Sequence, residues 1–149
     1  MPGILFDTSV YISALRRGNA SILSSRRAAR KGEAQDRPLW LSVVVLEELL
    51  VGARDGRMKK LLAHLERDFE RAGRLLVPVQ SDWTASGQVL ALIGEKYGYE
   101  EVGRARITND ALIAMSASRN GITVQTLNDG DYRKIAEVRP FEWEQAQPS

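Results

Sequence analysis

The sequence predicts a single α/β domain in three layers, with a central, mostly parallel sheet flanked by helices. Short apolar runs typical of buried parallel strands alternate with segments of helical length, and capping or turn residues separate them. The 149 residues are enough for one domain with a substantial core. We expect the folded domain to cover residues 1–144 and a short disordered tail to follow at residues 145–149.

The first half of the chain opens with an apolar strand at residues 3–6, and a helical stretch then ends near Gly18. Residues 20–31 predict a second helix with a basic end, which the polar segment 32–38 breaks. A short strand at residues 39–41 leads to Ser42, a residue type suited to cap the helix predicted over 43–53.

The second half begins with a highly charged helix and an apolar strand that Pro78 ends or places at an edge. Ser81 or Asp82 is suited to cap the next helix, and Gly121 follows the last one. A loop is expected at residues 97–103, and a turn is expected at Asn128–Asp131. The remaining predicted elements are helices at 57–72, 82–96 and 109–120 and strands at 74–79, 122–126 and 138–143.

The composition excludes several kinds of site. The chain has no cysteine, so a disulfide framework and a thiolate metal site are both excluded. The lone His64 lies on an amphipathic helix, which leaves carboxylates or metal-bound water to act as a base. The net charge of +2 does not by itself indicate nucleic-acid binding. No signal sequence and no apolar run of about 18 residues is present, so we expect a soluble, cytoplasmic protein without a membrane contact.

Acidic residues lie where the predicted strand and helix units begin or end. They are Asp7, Glu47 and Glu48, Asp110, and Asp129 to Asp131. Each alone is explained equally well as a helix cap, a dipole partner or a surface charge. Together they favour an enzyme that acts on phosphates with a hard divalent cation, because such cations prefer oxygen ligands.

Four segments resemble the acidic motifs of the PIN-domain ribonucleases, particularly the toxins of VapBC-type toxin-antitoxin pairs. Residues 4–10 are similar to the first motif, 41–52 to the second, 107–114 to the third and 126–132 to the fourth. The order and spacing of the four are more specific than any one of them, and the resemblance covers almost the whole chain. It implies a PIN-like nuclease domain.

The resemblance selects one acid from each segment, namely Asp7, Glu48, Asp110 and Asp131. Glu48 is favoured over Glu47 by its register against the following leucine and glycine. In the fourth motif Asn128 and Asp131 match, while Asp129 is an additional candidate, so the fourth acid is open. The supporting polar residues are Thr8, Ser9, Thr126 and Asn128.

The function that the resemblance implies is hydrolysis of RNA phosphodiester bonds by an endoribonuclease. The four acids would hold one or two Mg²⁺ or Mn²⁺ ions, with Asp7 and Asp110 as the principal ligands. A cognate antitoxin would cover the site, and the toxin would be a homodimer.

Positive charge near such a pocket would hold the RNA backbone, and aromatic side chains could stack on its bases. The basic candidates are Arg16, Arg17, Arg26, Arg27, Arg30 and Lys31. Solvated helices explain them as well, and Trp40, Trp83 and Trp143 are more typical of core or interface positions. The role of the basic segment 20–38 stays open.

Two other classes of function compete with the nuclease. In a non-catalytic α/β module the acids are caps and the basic half binds RNA or protein. A metal-dependent phosphomonoesterase would use a similar pocket on small phosphate esters. The opening motif also resembles haloacid-dehalogenase phosphatases, but Ser9 occupies the position where that family needs a second Asp or a Thr.

Overall fold

A five-stranded sheet, parallel in every described pairing, forms the centre of the molecule and confirms the predicted α/β class. The computed structural model describes residues 3–23, 37–103 and 105–146. The strands are β1 (Ile4–Phe6), β2 (Leu39–Ser42), β3 (Leu75–Leu76), β4 (Thr123–Thr126) and β5 (Trp143–Gln145).

Helices connect the strands and pack in two groups. They are α1 (Thr8–Arg16), α2 (Val43–Gly52), α3 (Gly56–Arg71), α4 (Gln80–Tyr97), α5 (Tyr99–Val102), α6 (Ala105–Arg119) and α7 (Asp129–Val138), with a 3₁₀ helix at Ala20–Leu23. α1 contacts α2 and α2 contacts α3, whereas α4, α6 and α7 all contact one another; α2 also contacts α6. Because parallel strands are joined by right-handed crossovers, the helices that follow β1 and β2 are expected on one face of the sheet and those that follow β3 and β4 on the other.

The strand order determines where a site can form. The strand order is β3-β2-β1-β4-β5. The chain therefore adds β2 and β3 on one side of β1, and then crosses back to add β4 and β5 on the other side of β1. β1 and β4 pair in register from Ile4 opposite Thr123 to Phe6 opposite Gln125. Ligands of open α/β sheets bind beyond the strand ends at such a reversal. The residues that follow Phe6 and Thr126 therefore lie in the favoured position.

The core explains why these segments fold as they do. Leu5 of β1, Leu41 of β2 and Val124 of β4 are completely buried between the helix layers. Charged α3 still contributes Leu62, Leu65 and Phe69 to the core along one stripe. The apolar strands and the one-sided helices thus bury a single continuous core.

The largest error of the sequence prediction is at Asn128–Asp131, which was expected to form a turn. Asp129 instead begins helix α7, with Asn128 at its N-cap. Composition favoured a turn, but Tyr132 and Ile135 are fully buried and hold the segment as a helix. The strand predicted at 138–143 is consequently wrong for most of its length, because Val138 ends α7 and β5 begins at Trp143.

Two helix starts also differ from the prediction, and one additional helix is present. α4 begins at Gln80 after Val79, and Asp82 lies inside its first turn, where it accepts from the Val79 N–H at 2.9 Å. A short helix, α5, lies within the predicted loop 97–103. α6 begins at Ala105, four residues before the predicted start.

The remaining differences concern the ends of segments. The predicted strand 74–79 contracts to Leu75–Leu76. Of the predicted helix 20–31, only the 3₁₀ turn Ala20–Leu23 is described, and the rest lies outside the described residues. β5 continues through Gln145, and Ala146 is buried with its N–H donating to Thr126 O at 2.7 Å, so described structure extends two residues into the predicted tail.

Candidate active site

Asp7 lies at the C-terminal end of β1 and caps helix α1. Its side chain is buried, with only 4% exposed, and its Oδ1 accepts a hydrogen bond from the Val10 N–H at 3.4 Å. Ser9 Oγ donates to Asp7 Oδ1 at 2.5 Å, and Thr126 Oγ1 donates to Asp7 Oδ2 at 2.6 Å. Both carboxylate oxygens are thus held by hydroxyl groups, one from each side of the strand reversal.

Backbone amides of the β4–α7 connection bind the same two hydroxyls. The Leu127 N–H donates to Ser9 Oγ at 3.0 Å, and the Asn128 N–H donates to Thr126 Oγ1 at 2.9 Å. Thr8 Oγ1 donates to Glu48 Oε1 at 2.7 Å, which ties the first turn of α1 to α2. The predicted supporting residues therefore link three of the segments that carry acids.

The structure separates the two glutamates of α2. Glu48 is half-buried and is held by Thr8, whereas Glu47 is exposed. Adjacent helical positions point about 100° apart, so only one of the pair faces α1.

The third and fourth segments meet through Asp110. Asp110 is buried in α6, and its carboxyl group forms a hydrogen bond with the Asp131 side chain. Tyr132 Oη donates to Asp110 Oδ1 at 3.3 Å. Two consecutive residues of α7 therefore contact the same carboxyl group.

The fourth-motif acids have different surroundings. Asp131 contacts Asp110, while Asp129 Oδ2 forms an ion pair with Arg133 Nη2 at 2.5 Å, one helical turn along α7. Asn128 is exposed, and its backbone rather than its side chain contacts Thr126. The geometry thus associates Asp131, and not Asp129, with the other acids. We call Asp7, Glu48, Asp110 and Asp131 the acidic cluster.

The charges of the acidic cluster affect one another. Burial is the largest cause of a rise in the pKa of Asp110 from 3.8 to about 9, and the hydrogen bond with Asp131 and the charges of Asp131, Asp7 and Glu48 raise it further. Burial also raises the pKa of Asp7, although the hydrogen bonds from Ser9, Thr126 and Val10 oppose the rise. Within the described residues no lysine or arginine forms an ion pair with either aspartate.

The acidic cluster has the donor chemistry of a site for a hard cation, since all its ligating atoms are carboxylate oxygens. A cation would also offset the burial and the repulsion that together raise the pKa of Asp110. In the part of the chain that is described, no three acidic or histidine side chains are already arranged as a metal-binding group. The residue types are those that bind divalent ions. Binding one would require the carboxylate side chains to move closer together.

An apolar groove extends from Glu48 between α1, α2 and α3. It has a volume of about 270 Å³. Its walls are mainly aliphatic, with Arg16 at the rim, and are formed by Ile12, Leu15, Leu49, Gly52, Ala53, Met58 and Leu62. The groove therefore joins an apolar surface to one member of the acidic cluster.

The predicted basic and aromatic residues are spread over the molecule. Arg16 and Arg17 are exposed at the end of α1, and the candidates from Arg26 to Lys31 lie outside the described residues. Trp40 and Trp143 pack partly buried against the core, whereas Trp83 is 61% exposed on α4. No described helix is both long enough and apolar enough to cross a membrane.

Two contacts were missed from the sequence. Tyr132 is the last residue of the segment similar to the fourth motif, and its contact with Asp110 was not predicted, although a buried tyrosine hydroxyl usually needs a hydrogen-bond partner. Asp82 was predicted only as a helix cap, but it also forms a bidentate ion pair with Arg119. No short-range pattern indicates that pair, because the two residues lie 37 positions apart.

Comparisons with known proteins identify the family and agree with the fold. The family model described as "PIN domain" matches residues 4–138. Similar solved structures include DNA-bound VapBC from Salmonella typhimurium, with 20% identity, a TM-score of 0.62 and coverage of 97% of this chain and 98% of that chain. VapBC2 from Rickettsia felis bound to a promoter DNA fragment has 18% identity, a TM-score of 0.61 and the same two coverages.

VapBC-1 from nontypeable Haemophilus influenzae is similar at 19% identity, with a TM-score of 0.58 and coverage of 95% of this chain and 96% of that chain. At these identities the structures establish a shared fold. No curated protein matches the chain significantly.

Proposed function

The chain belongs to the PIN domain family, and from that premise we propose that it is a divalent-metal-dependent endoribonuclease, the toxin of a toxin-antitoxin pair. The observation that carries the proposal is the position of Asp110. This buried carboxyl group is surrounded by the charges of three other acids, at the strand reversal where open α/β sheets bind ligands.

The proposed division of roles follows the contacts. Asp7 and Asp110 would hold one or two Mg²⁺ or Mn²⁺ ions, and Glu48 and Asp131 would complete the site. When bound, such an ion supplies Lewis-acid stabilisation of the charge that develops on phosphoryl oxygens. Ser9 and Thr126 orient Asp7, and Thr8 orients Glu48. Asp131 lies beside Asp110 and would add a second carboxylate to the ligands from that side of the site.

The apolar groove supports a protein partner. An aliphatic surface that reaches Glu48 would accept apolar side chains of an antitoxin and bring that partner to the acidic cluster. The structural neighbours are VapBC assemblies, which favours the same partner class. We extend the proposal to an RNA substrate and a cognate antitoxin. We also propose that the protein is a homodimer, and analytical ultracentrifugation would measure its mass.

The test is cleavage of total RNA in Mg²⁺, in Mn²⁺ and in excess chelator by wild type, Asp7→Asn and Asp55→Asn. Asp55 is a matched control because it also caps a helix, accepting from the Met58 N–H at 2.7 Å, but it is exposed and has no hydrogen bond with a member of the acidic cluster among the described contacts. Discrete metal-dependent cuts that Asp7→Asn loses and Asp55→Asn keeps are expected.

Other outcomes favour the competing classes. Equal cleavage by wild type and Asp7→Asn would contradict the proposed site. Turnover of a small phosphate ester without RNA cleavage would favour a phosphomonoesterase. RNA binding that neither chelator nor Asp7→Asn affects, with no cleavage, would favour the binding module in which the acids only cap helices.

A further inference from the structure

Tyr132 is buried directly beneath the acidic cluster, in the first turns of α7. Its side chain is fully buried in the core, and its ring centroid lies 6.1 Å from that of Phe141 at an interplanar angle of 49°. Packing therefore fixes the ring, and the ring fixes the position of its hydroxyl group.

The hydrogen bond from Tyr132 has a defined direction. A tyrosine hydroxyl is protonated at neutral pH and a carboxylate oxygen can only accept, so the hydroxyl acts as the donor. It donates to Asp110 Oδ1 at 3.3 Å. One oxygen of Asp110 is thus engaged from the core side, which restricts rotation of the carboxyl group and determines which lone pairs remain for other partners.

We propose that the Tyr132 hydroxyl is a positioning group for Asp110, which holds that carboxylate in the orientation that receives a divalent cation. The inference rests on the proposed function, because it assigns Tyr132 a role only if Asp110 binds a cation. Hydrogen-bond donors behind a ligand orient it and tune its affinity, and their loss typically weakens metal binding by about 10–100-fold.

A purely structural role makes a different prediction. If Asp110 only satisfied a buried hydroxyl, removing that hydroxyl would change the melting temperature and leave cation affinity unchanged. Tyr132→Phe separates the two roles because it keeps the ring and its contact with Phe141 while deleting the donor. Ser116→Ala is the matched control. It deletes a different buried hydroxyl, on α6, which donates to Leu112 O at 2.7 Å and to Ile113 O at 3.1 Å instead of to an acid.

The experiment is Mn²⁺ titration by isothermal calorimetry, without RNA, of wild type, Tyr132→Phe and Ser116→Ala, each checked for folding by circular dichroism. We expect Tyr132→Phe to bind Mn²⁺ about tenfold more weakly than wild type, and Ser116→Ala to bind like wild type. Equal affinity of wild type and Tyr132→Phe would overturn the positioning role while leaving the nuclease proposal intact. No Mn²⁺ binding by wild type would overturn both.

A double-mutant cycle gives a second, independent test that does not depend on one variant. If Tyr132 acts through Asp110, Tyr132→Phe should lower RNA cleavage in the wild-type background and have no further effect on Asp110→Asn. Equal fold-losses in both backgrounds would overturn the positioning role, because the hydroxyl would then act independently of Asp110.

Discussion

Asp82 and Asp110 are both buried aspartates, and both are connected to helix α6, but their partners differ. Asp82 is 2% exposed and binds Arg119 of α6 through two bonds, from Nε to Oδ1 at 2.8 Å and from Nη2 to Oδ2 at 3.0 Å. Asp110 is 7% exposed, and its partners are a tyrosine hydroxyl and another carboxyl group. One acid is paired with an arginine of the fold, whereas the partners of the other, among the described residues, are neutral or negative.

The comparison distinguishes two reasons for burying a charge. A carboxylate paired with an internal arginine stabilises the packing of α4 on α6. A carboxyl group surrounded by other acids raises the free energy of the folded protein unless a proton or an external cation compensates. Asp110 therefore has the surroundings of a binding group, and Asp82 those of a structural one.

The largest expected difference is in catalysis. Asp110→Asn should lower RNA cleavage on the order of 100-fold or more, because it removes a proposed cation ligand. Asp82→Asn should cleave at close to the wild-type rate when assayed below its melting temperature. Single-turnover cleavage of one mapped RNA site measures both variants. Comparable losses in the two would show that burial, not the type of partner, decides which aspartate matters.

Stability should change in the opposite order. Asp82→Asn should destabilise the protein by about 2 kcal/mol, less than for a fully buried pair because the Arg119 side chain is 38% exposed. For a chain of this size that corresponds to a fall in melting temperature of roughly 4–8 °C. Asp110→Asn should raise the melting temperature in chelator, since it removes repulsion. Calorimetry of both variants tests the pair, and a lower value for Asp110→Asn would contradict the repulsion argument.

The third expected difference is in pH dependence. Because the folded-state pKa of Asp110 is raised from 3.8 to about 9, the folded protein binds a proton that the unfolded chain releases between these values. In chelator, the free energy of unfolding should therefore fall as the pH rises from about 4 towards 9. Asp110→Asn should weaken that fall, whereas Asp82→Asn should retain it. Urea unfolding at several pH values measures the slope, and identical slopes in all three proteins would refute the assignment to Asp110.

The smallest effect concerns the edge of the acidic cluster. Thr8→Val removes the hydroxyl that donates to Glu48 but keeps a side chain of similar shape. We expect about a tenfold loss of cleavage and less than about 1 kcal/mol of lost stability. Thr123→Val is the control, because it makes the same substitution at another half-buried threonine, on β4. Unchanged cleavage by Thr8→Val would show that Glu48 does not depend on this contact.

The sequence predicted the fold better than the boundaries of its elements. Alternating apolar runs and caps were sufficient for the parallel α/β class, because strand burial leaves a local signal. Helix α7 was missed because Asn128, Asp129 and Gly130 are turn-forming residues, and the helix depends on the distant packing of Tyr132 and Ile135.

The candidate site was predictable in residue type but not in arrangement. Family resemblance selected Asp7, Glu48 and Asp110, yet the choice between Asp129 and Asp131 depends on the rotation of α7, which no local pattern specifies. The contact between Tyr132 and Asp110 spans 22 positions and likewise requires the folded structure. The activity of these residues stays a prediction until the variants are measured.

The hydroxyl groups around Asp7 carry a consequence for proton stoichiometry. The amides of Leu127 and Asn128 can only donate, so Ser9 and Thr126 accept there; Ser9 then donates its proton to Asp7, while Thr126 faces two acceptors, Asp7 Oδ2 at 2.6 Å and the Asn128 carbonyl oxygen at 3.1 Å. The hydrogen bonds from these hydroxyls oppose the rise that burial causes in the pKa of Asp7, whereas burial and the neighbouring charges raise the pKa of Asp110 to about 9. A cation that binds the acidic cluster at neutral pH should therefore release a proton, and Asp110 on the α6–α7 side of the site is its expected source.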